Sequence, residues 1–196
     1  MTSMNTQSFF VFLNKFINLD AAEFEEFIEP YIEERKFNKR TVILRESEVE
    51  NYFNFITHGL VRKFYKKDHE EINTQISMEG HIIHAQESFH SRTPSEYNLE
   101  TLEPSTLISI SYDNLELIYS KSQKMERLGR LVITFTMVIK DRSQMNMIKL
   151  SPRERFLDFV GKNPALLQRV PQKLLASYLN IQPETFSRFK HLLRTR

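Results

Sequence analysis

Apolar residues recur along this chain with two different periods, and the switches between them mark out its parts. Near the start, Phe9, Phe12, Leu13, Phe16 and Ile17 fall at helical intervals, and so do Phe24, Phe27, Ile28, Tyr31 and Ile32. Asp20 and Glu23 stand ahead of the second set with the spacing of a capping box, and Pro30 is its expected kink or end. From Arg40 to Tyr112 the pattern shortens to strand-like runs separated by polar turns: Thr41 to Leu44, Tyr52 to Thr57, Leu60 to Tyr65, Ile72 to Met78 and Leu107 to Ser111. Hairpin turns are predicted at Lys66 to Glu71 and at Glu103-Pro104-Ser105. Short strands in succession favour an antiparallel sandwich or barrel.

Beyond Asp113 the helical period returns and persists. Met125, Leu128, Val132, Phe135 and Ile139 alternate three- and four-residue steps, an a/d seam that needs a partner. Either the chain's own β domain or a second copy of the helix would cover it; Leu131 and Val138 widen the stripe and favour the two-fold homodimer. Asp141 to Lys149, polar and methionine-rich, reads as a hinge. Ser151-Pro152-Arg153-Glu154 then restarts a helix, with Ser as the cap, Pro in the first turn and Glu three positions on. Phe156, Leu157, Phe159 and Val160 are its expected buried side, Gly161 and Pro164 punctuate it, and Pro171 opens the next helix.

Composition narrows the function classes. The 196 residues contain no cysteine, which excludes disulfides, thiolate zinc sites and cysteine-ligated clusters. No apolar run approaches the roughly 20 residues that span a bilayer, and no basic residue precedes Phe9 to Leu13 as a signal peptide would require, so no membrane partner and a cytoplasmic location are expected. The net charge of +2 conceals an asymmetry: from Ser151 onward nine Lys/Arg face three Asp/Glu, while the rest of the chain is net acidic. A small basic segment joined to an acidic one suits a protein of which one part meets a polyanion.

Within that basic segment, Gln172 to Leu193 has the grammar of a helix-turn-helix. Ala176 is small where two helices cross, Leu175 and Leu179 face inward, Asn180 tolerates the left-handed turn conformation, and Pro183 starts a second helix. On that helix Phe186, Phe189 and Leu193 share one side, and Glu184, Ser187, Arg188 and His191 the other. Glu184 suits acceptance from cytosine and Arg188 donation to guanine; Thr185 and the nearby amides suit phosphate oxygens, and Gln182, Ser187 and Lys190 complete the DNA-facing set. The bland alternative is a surface ion pair between Glu184 and Arg188; the preceding helix and turn argue for DNA.

The run Ala176-Ser177-Tyr178-Leu179-Asn180-Ile181-Gln182-Pro183-Glu184-Thr185-Phe186-Ser187-Arg188 resembles the Crp/Fnr regulators, in particular the A-S-Y-L-G-I-x-P-E-T-L-S-R run of short Bacteroidetes members. Lys39 to Leu44, Phe55 to Arg62 around Gly59, Gly80, and Leu102 to Tyr112 resemble their β-roll in order and spacing. The resemblance implies an α+β chain: a cyclic-nucleotide-binding-like antiparallel jelly roll over 1–118, a dimerisation helix and hinge over 119–149, and a helix-turn-helix module over 150–196, with no room for a C-terminal wing. It places Glu184 and Arg188 at the family's base-reading positions and Thr185 at a phosphate contact, while Pro183 departs from a position that carries a further base-reading Arg in the best-known members. Double-stranded operator DNA and a second copy are the implied partners, RNA polymerase and an effector are further ones the family allows, and no cofactor is expected.

Family members that bind cyclic nucleotides hold the ribose with a Gly-Glu pair and the phosphate with a Pro-Arg-Ser/Thr-Ala run; here Gly80-His81 and Pro94-Ser95-Glu96-Tyr97 occupy those places. Both charged contacts are missing, Glu96 adds a like charge, and Arg92 is the one nearby candidate for the phosphate, so cyclic AMP and cyclic GMP are not expected to bind. His81, His84, Glu87 and His90 recur every three residues, but no regular element points all four together, and a cupin-like metal enzyme would need an H-x-H pair that is absent. No hydrolase triad order, nucleotide loop or zinc-protease motif stands out, and no enzyme activity is expected. The alternative function is a jelly-roll small-molecule or metal-binding protein whose helical module does not bind DNA.

Overall fold

The computed structural model describes residues 4–192. Helices α1 (Met4–Leu13) and α2 (Ala21–Phe27) take up the two aromatic-rich stretches. The capping box forms: the Asp20 carboxylate accepts the Glu23 amide at 2.8 Å, and the Glu23 carboxylate accepts the Asp20 amide at 3.1 Å. Pro30 ends the helical period sooner than the spacing suggests. A single 3-10 turn, Glu29–Tyr31, follows, and Ile32 already belongs to strand β1 (Ile32–Phe37), which the periodicity does not reveal.

Seven further strands follow: β2 (Val42–Leu44), β3 (Tyr52–His58), β4 (Val61–Lys67), β5 (Glu70–Ser77), β6 (Ile82–Ile83), β7 (Asn98–Thr101) and β8 (Ser105–Ser111). A short helix, α3 (Gln86–Ser91), lies between β6 and β7. They make two four-stranded sheets, ordered β1-β8-β3-β6 and β2-β7-β4-β5, with β1, β3, β6 and β8 antiparallel throughout. Of the two expected hairpin turns only the one at Lys66 to Glu71 forms; Glu103-Pro104-Ser105 instead carries the chain from β7 in one sheet to β8 in the other. Asp68 and His69, with φ of 48° and 68°, make the two-residue link whose left-handed backbone matches the strand twist. At the β3–β4 corner Gly59 has φ of 94°, and any side chain there would run into Ser105 and the Pro104 carbonyl.

Alternation along β3 and β8 sorts the core. Ile56 and Leu107 face Leu44, Val61 and Leu99 of the other sheet, while Phe53, Phe55, Ile108 and Ile110 face outward beneath α1, α2, α4 (Tyr112–Lys121) and the first half of α5 (Gln123–Lys149). Helix α5 runs unbroken through the expected hinge at 141–149, because Met, Gln, Lys and Arg are good helix formers whatever their polarity. The break falls at Leu150–Ser151 instead. The seam divides in two. Met125, Leu128 and Val132 are buried in the chain's own core, whereas Phe135, Val138 and Ile139 remain 42, 42 and 50% exposed.

The fold separates into two compact units. One comprises the described residues of Met1–Lys63 together with Ile76–Met137; the other joins Phe64–Gln75, the outer part of the β4–β5 hairpin, to the described residues of Val138–Arg196. The second unit contains the end of α5 and helices α6 (Pro152–Lys162), α7 (Leu166–Arg169), α8 (Gln172–Tyr178) and α9 (Pro183–Leu192). Ser151 caps α6 as expected, its amide donating to Glu154 at 2.8 Å. Phe156 and Phe159 supply the buried side of α6, but Leu157 is exposed, one position off the stripe. Among the described residues no helix is long and apolar enough to cross a membrane.

Candidate nucleic-acid interface

The link between α8 and α9 is a Schellman turn. The Ile181 amide donates to the Ala176 carbonyl at 2.9 Å and the Asn180 amide to the Ser177 carbonyl at 3.0 Å, with Asn180 at φ of 51°. Leu175 and Ala176 are fully buried, and Ile181 closes the apolar side of the turn. The carbonyl of Gln182 accepts the Phe186 amide at 2.9 Å, and Pro183 occupies the first position of α9, where a missing N–H costs nothing.

Helix α9 is held by one residue type. The Phe186 ring is fully buried edge-on to Phe156, centroids 5.1 Å apart, and the half-buried Phe189 ring lies 5.6 Å from Phe156. That fixes the opposite face outward. Gln182, Glu184 and Arg188 are exposed, and Thr185, Ser187 and Lys190 are half-buried at the margins. Glu184 and Arg188 form no ion pair among the described residues; Arg188 is exposed and lies over the Phe189 ring, 5.9 Å from its centroid. Leu193, expected on the inner face, and the segment that would carry a wing lie outside the described residues.

Helix α8 has further anchors. The Ser177 hydroxyl accepts the Asn73 amide at 3.0 Å and donates to the Glu71 carbonyl at 3.2 Å, so the edge strand β5 is tied to α8 by backbone groups that an edge leaves unpaired. Arg155, on α6, spreads its guanidinium over four carbonyls: Leu179 at 2.9 Å, Asn180 at 3.0 Å, Leu150 at 2.8 Å and Met147 at 3.3 Å. Neither role is legible in the sequence: the partners of Ser177 lie 104 and 106 residues away, and those of Arg155 are backbone carbonyls, which no residue type marks.

The effector segment is built differently. Gly80, at φ of 81°, and the exposed His81 close the β5–β6 turn, bonded through their backbones to Ile56. Ser95 is buried, but its hydroxyl bonds back to Tyr97 and its backbone pairs with Ser47 and Glu48; Glu96 points to solvent. Arg92 donates to the carbonyls of Glu50 at 2.7 Å and Phe89 at 3.2 Å and to Asn51 Oδ1 at 2.6 Å, and it stacks on Tyr112. Its guanidinium is thus committed to the chain itself. Glu50, 2% exposed, accepts from the Tyr52 and Ala85 amides, and burial raises its carboxyl above the usual range against the pull of Arg35. His84 is buried among Phe53, Phe89 and His90, and the described residues contain no group of three His, Asp or Glu side chains suited to a metal ion. An apolar recess of about 40 Å³ under α5, lined by Phe9, Leu128, Val132 and His90 among others, is far too small for a nucleotide.

The family model for the cyclic nucleotide-binding domain matches residues 34–122. This part of the chain is similar to that domain. No curated protein sequence matches the chain. Among solved structures, the c-di-GMP-responsive global regulator CLP of Xanthomonas campestris is 18% identical, with 90% of this chain and 92% of that one covered at a TM-score of 0.67. FixK2 of Bradyrhizobium japonicum is 16% identical, with 84 and 85% covered at 0.70. The catabolite activator protein of Thermus thermophilus is 15% identical, with 92 and 86% covered at 0.57. The likeness extends past residues 34–122 into the C-terminal helices, and the chain has the fold of the Crp/Fnr regulators.

Proposed function

We propose that the protein is a cytoplasmic, homodimeric transcription regulator that reads operator DNA with α9 and does not respond to cyclic AMP or cyclic GMP. The observation that carries this reading is the Schellman turn that sets α9 on Phe156 while leaving Glu184 and Arg188 exposed and, among the described residues, without an ion pair. Such a helix offers its first turns to base edges in the major groove, and the basic charge of the segment supplies attraction to phosphates. The fold shared with solved global regulators supports the same role. Phe135, Val138 and Ile139 form the dimer seam, because three such side chains in a row are costly to leave in water. In the cyclic nucleotide-binding domain the ribose and phosphate partners are replaced by His81 and Ser95, and Arg92 is engaged elsewhere.

The test is enrichment of genomic fragments by the purified protein at moderate salt. A roughly palindromic sequence with half-sites about one helical turn apart is the expected product. Fragments retained without a common sequence, or none retained, would sink the proposal. Titration calorimetry with millimolar cyclic AMP should give no saturable heat.

A further inference from the structure

We infer that Arg155 is the positioning residue that locks the carboxyl end of α5 to the turn aiming α9, and so sets the spacing at which two half-sites are read. The inference rests on the regulator reading above. Its basis is the set of four carbonyls that one guanidinium gathers: Met147 and Leu150 at the end of α5, Leu179 and Asn180 at the end of α8. These are carbonyls that a helix terminus leaves without an internal partner, and both termini carry the negative end of a helix dipole. A cation between them is favoured twice.

The chemistry selects arginine. Its Nε and both terminal nitrogens fan out in one plane, so Nε and Nη2 serve the α8 turn while Nη1 serves α5. A lysine ammonium is a single point and cannot span both ends. Capping alone would be satisfied by one helix terminus, whereas bridging two fixes an angle. A second tie runs the same way: the Tyr178 hydroxyl of α8 lies within hydrogen-bonding reach of Ser143 on α5. The turn bonded by Arg155 is followed by α9 within three residues, at Pro183.

The angle matters because α9 is a lever. Ten residues make a helix about 15 Å long, so a tilt of about 10° moves its far end by roughly 2–3 Å. Base contacts tolerate about 0.5 Å. In a dimer that error is applied at both half-sites in opposite directions along the DNA, so it shows as altered spacing preference.

The experiment uses the full chain and duplexes built from the sequence that the wild-type protein enriches: one half-site alone, and two half-sites with the spacer changed by one or two base pairs either way. Wild type should favour one spacing sharply. Arg155→Gln should lose on the order of 10- to 100-fold on that duplex, stay within a few-fold on the single half-site, and bind all spacings more evenly. An equal loss on every duplex, or an unchanged spacing profile, overturns the inference. Should Arg155→Gln fail to fold by circular dichroism, Arg155→Lys, which keeps the charge and reaches fewer carbonyls, is read the same way. A wild-type protein that retains no duplex overturns the regulator reading and this inference with it; wild-type retention with an unchanged variant profile overturns this inference alone.

Discussion

Arg92 and Arg188 each sit on or just after a helix and are the two arginines that the sequence offers as ligand contacts, yet they have opposite surroundings. Arg92 closes α3 in a left-handed conformation and gives its guanidinium to Glu50, Asn51, Phe89 and Tyr112. Arg188 touches the ring of its neighbour Phe189 and faces solvent. A charged group whose donors are satisfied inside the chain stabilises the fold and has little left for a ligand; one whose donors are open has paid no desolvation and remains available. By that measure Arg92 belongs to the scaffold, whereas the exposed face of α9 remains open. The seam of α5 repeats the contrast within one helix, with Val132 buried and Ile139 exposed.

The seam yields the largest expected effect. Val132→Glu places a carboxylate in an apolar core and should cost about 4–5 kcal/mol or prevent folding. Ile139→Glu should leave the protomer's stability within about 0.5 kcal/mol and abolish the dimer. Denaturant unfolding and sedimentation at micromolar concentration separate the two, and a stable dimer of Ile139→Glu would show that the exposed half of the seam covers nothing.

The two arginines come next, as a reciprocal pair. Arg92→Ala removes three charge-assisted hydrogen bonds and should lower stability by about 2–4 kcal/mol without changing DNA selectivity. Arg188→Ala should leave the unfolding midpoint unchanged, weaken the preferred operator by about 1–3 kcal/mol and relax the preference at one base position per half-site. If Arg92→Ala unfolds at the wild-type urea midpoint, its bonds are not part of the scaffold. If Arg188→Ala keeps full selectivity, α9 is not the reader.

The contrast between these regions also decides what could be read from the chain before its fold was known. The α8–α9 segment is local: Ala176, Asn180, Pro183 and Phe186 carry their structural roles within eleven residues, and the capping boxes at Asp20 and Ser151 close within three. The scaffold is not local. Arg92 finds two of its partners, Asn51 and Glu50, 41 and 42 residues upstream, where no sequence pattern connects them. Strand β7 contains Asn98 and Glu100; Asn98 Oδ1 accepts the Glu46 amide and Arg62 pairs with Glu100, partners that lie 52 and 38 residues away. Strand β1, IEERKF, is an edge strand with mixed polarity that follows a helical pattern without a break, and only its pairing with β8 gives it away. At 141–149 the polar run reads as a hinge, yet its Arg, Gln, Met and Lys residues favour helix and α5 continues through it.

The smallest effect concerns Glu50, which belongs wholly to the scaffold side. Its carboxylate is buried under the Tyr52 and Ala85 amides, and the cost of burying the charge outweighs those bonds and the attraction of Arg35, so its pKa is raised. The sign follows from linkage: the folded state holds this proton more tightly than the unfolded chain does. Glu50 therefore contributes stability that grows as pH falls through its raised folded value, is complete at the ordinary carboxyl value, and is lost again as pH rises. Glu23 and Glu154 have lowered values from their bonds to Lys124 and Ser151, so their contributions run the other way and fade on acidification. The wild-type curve of Tm against pH mixes both signs, but the difference between wild type and Glu50→Gln isolates one. The amide fills the same space, accepts one of the two N–H donors and does not titrate. Relative to the variant, wild type should gain Tm steadily from neutral pH toward mildly acidic pH. Parallel curves would mean that the Glu50 carboxylate stays hydrated, and with it the loop that occupies Arg92 would lose its claim to be scaffold.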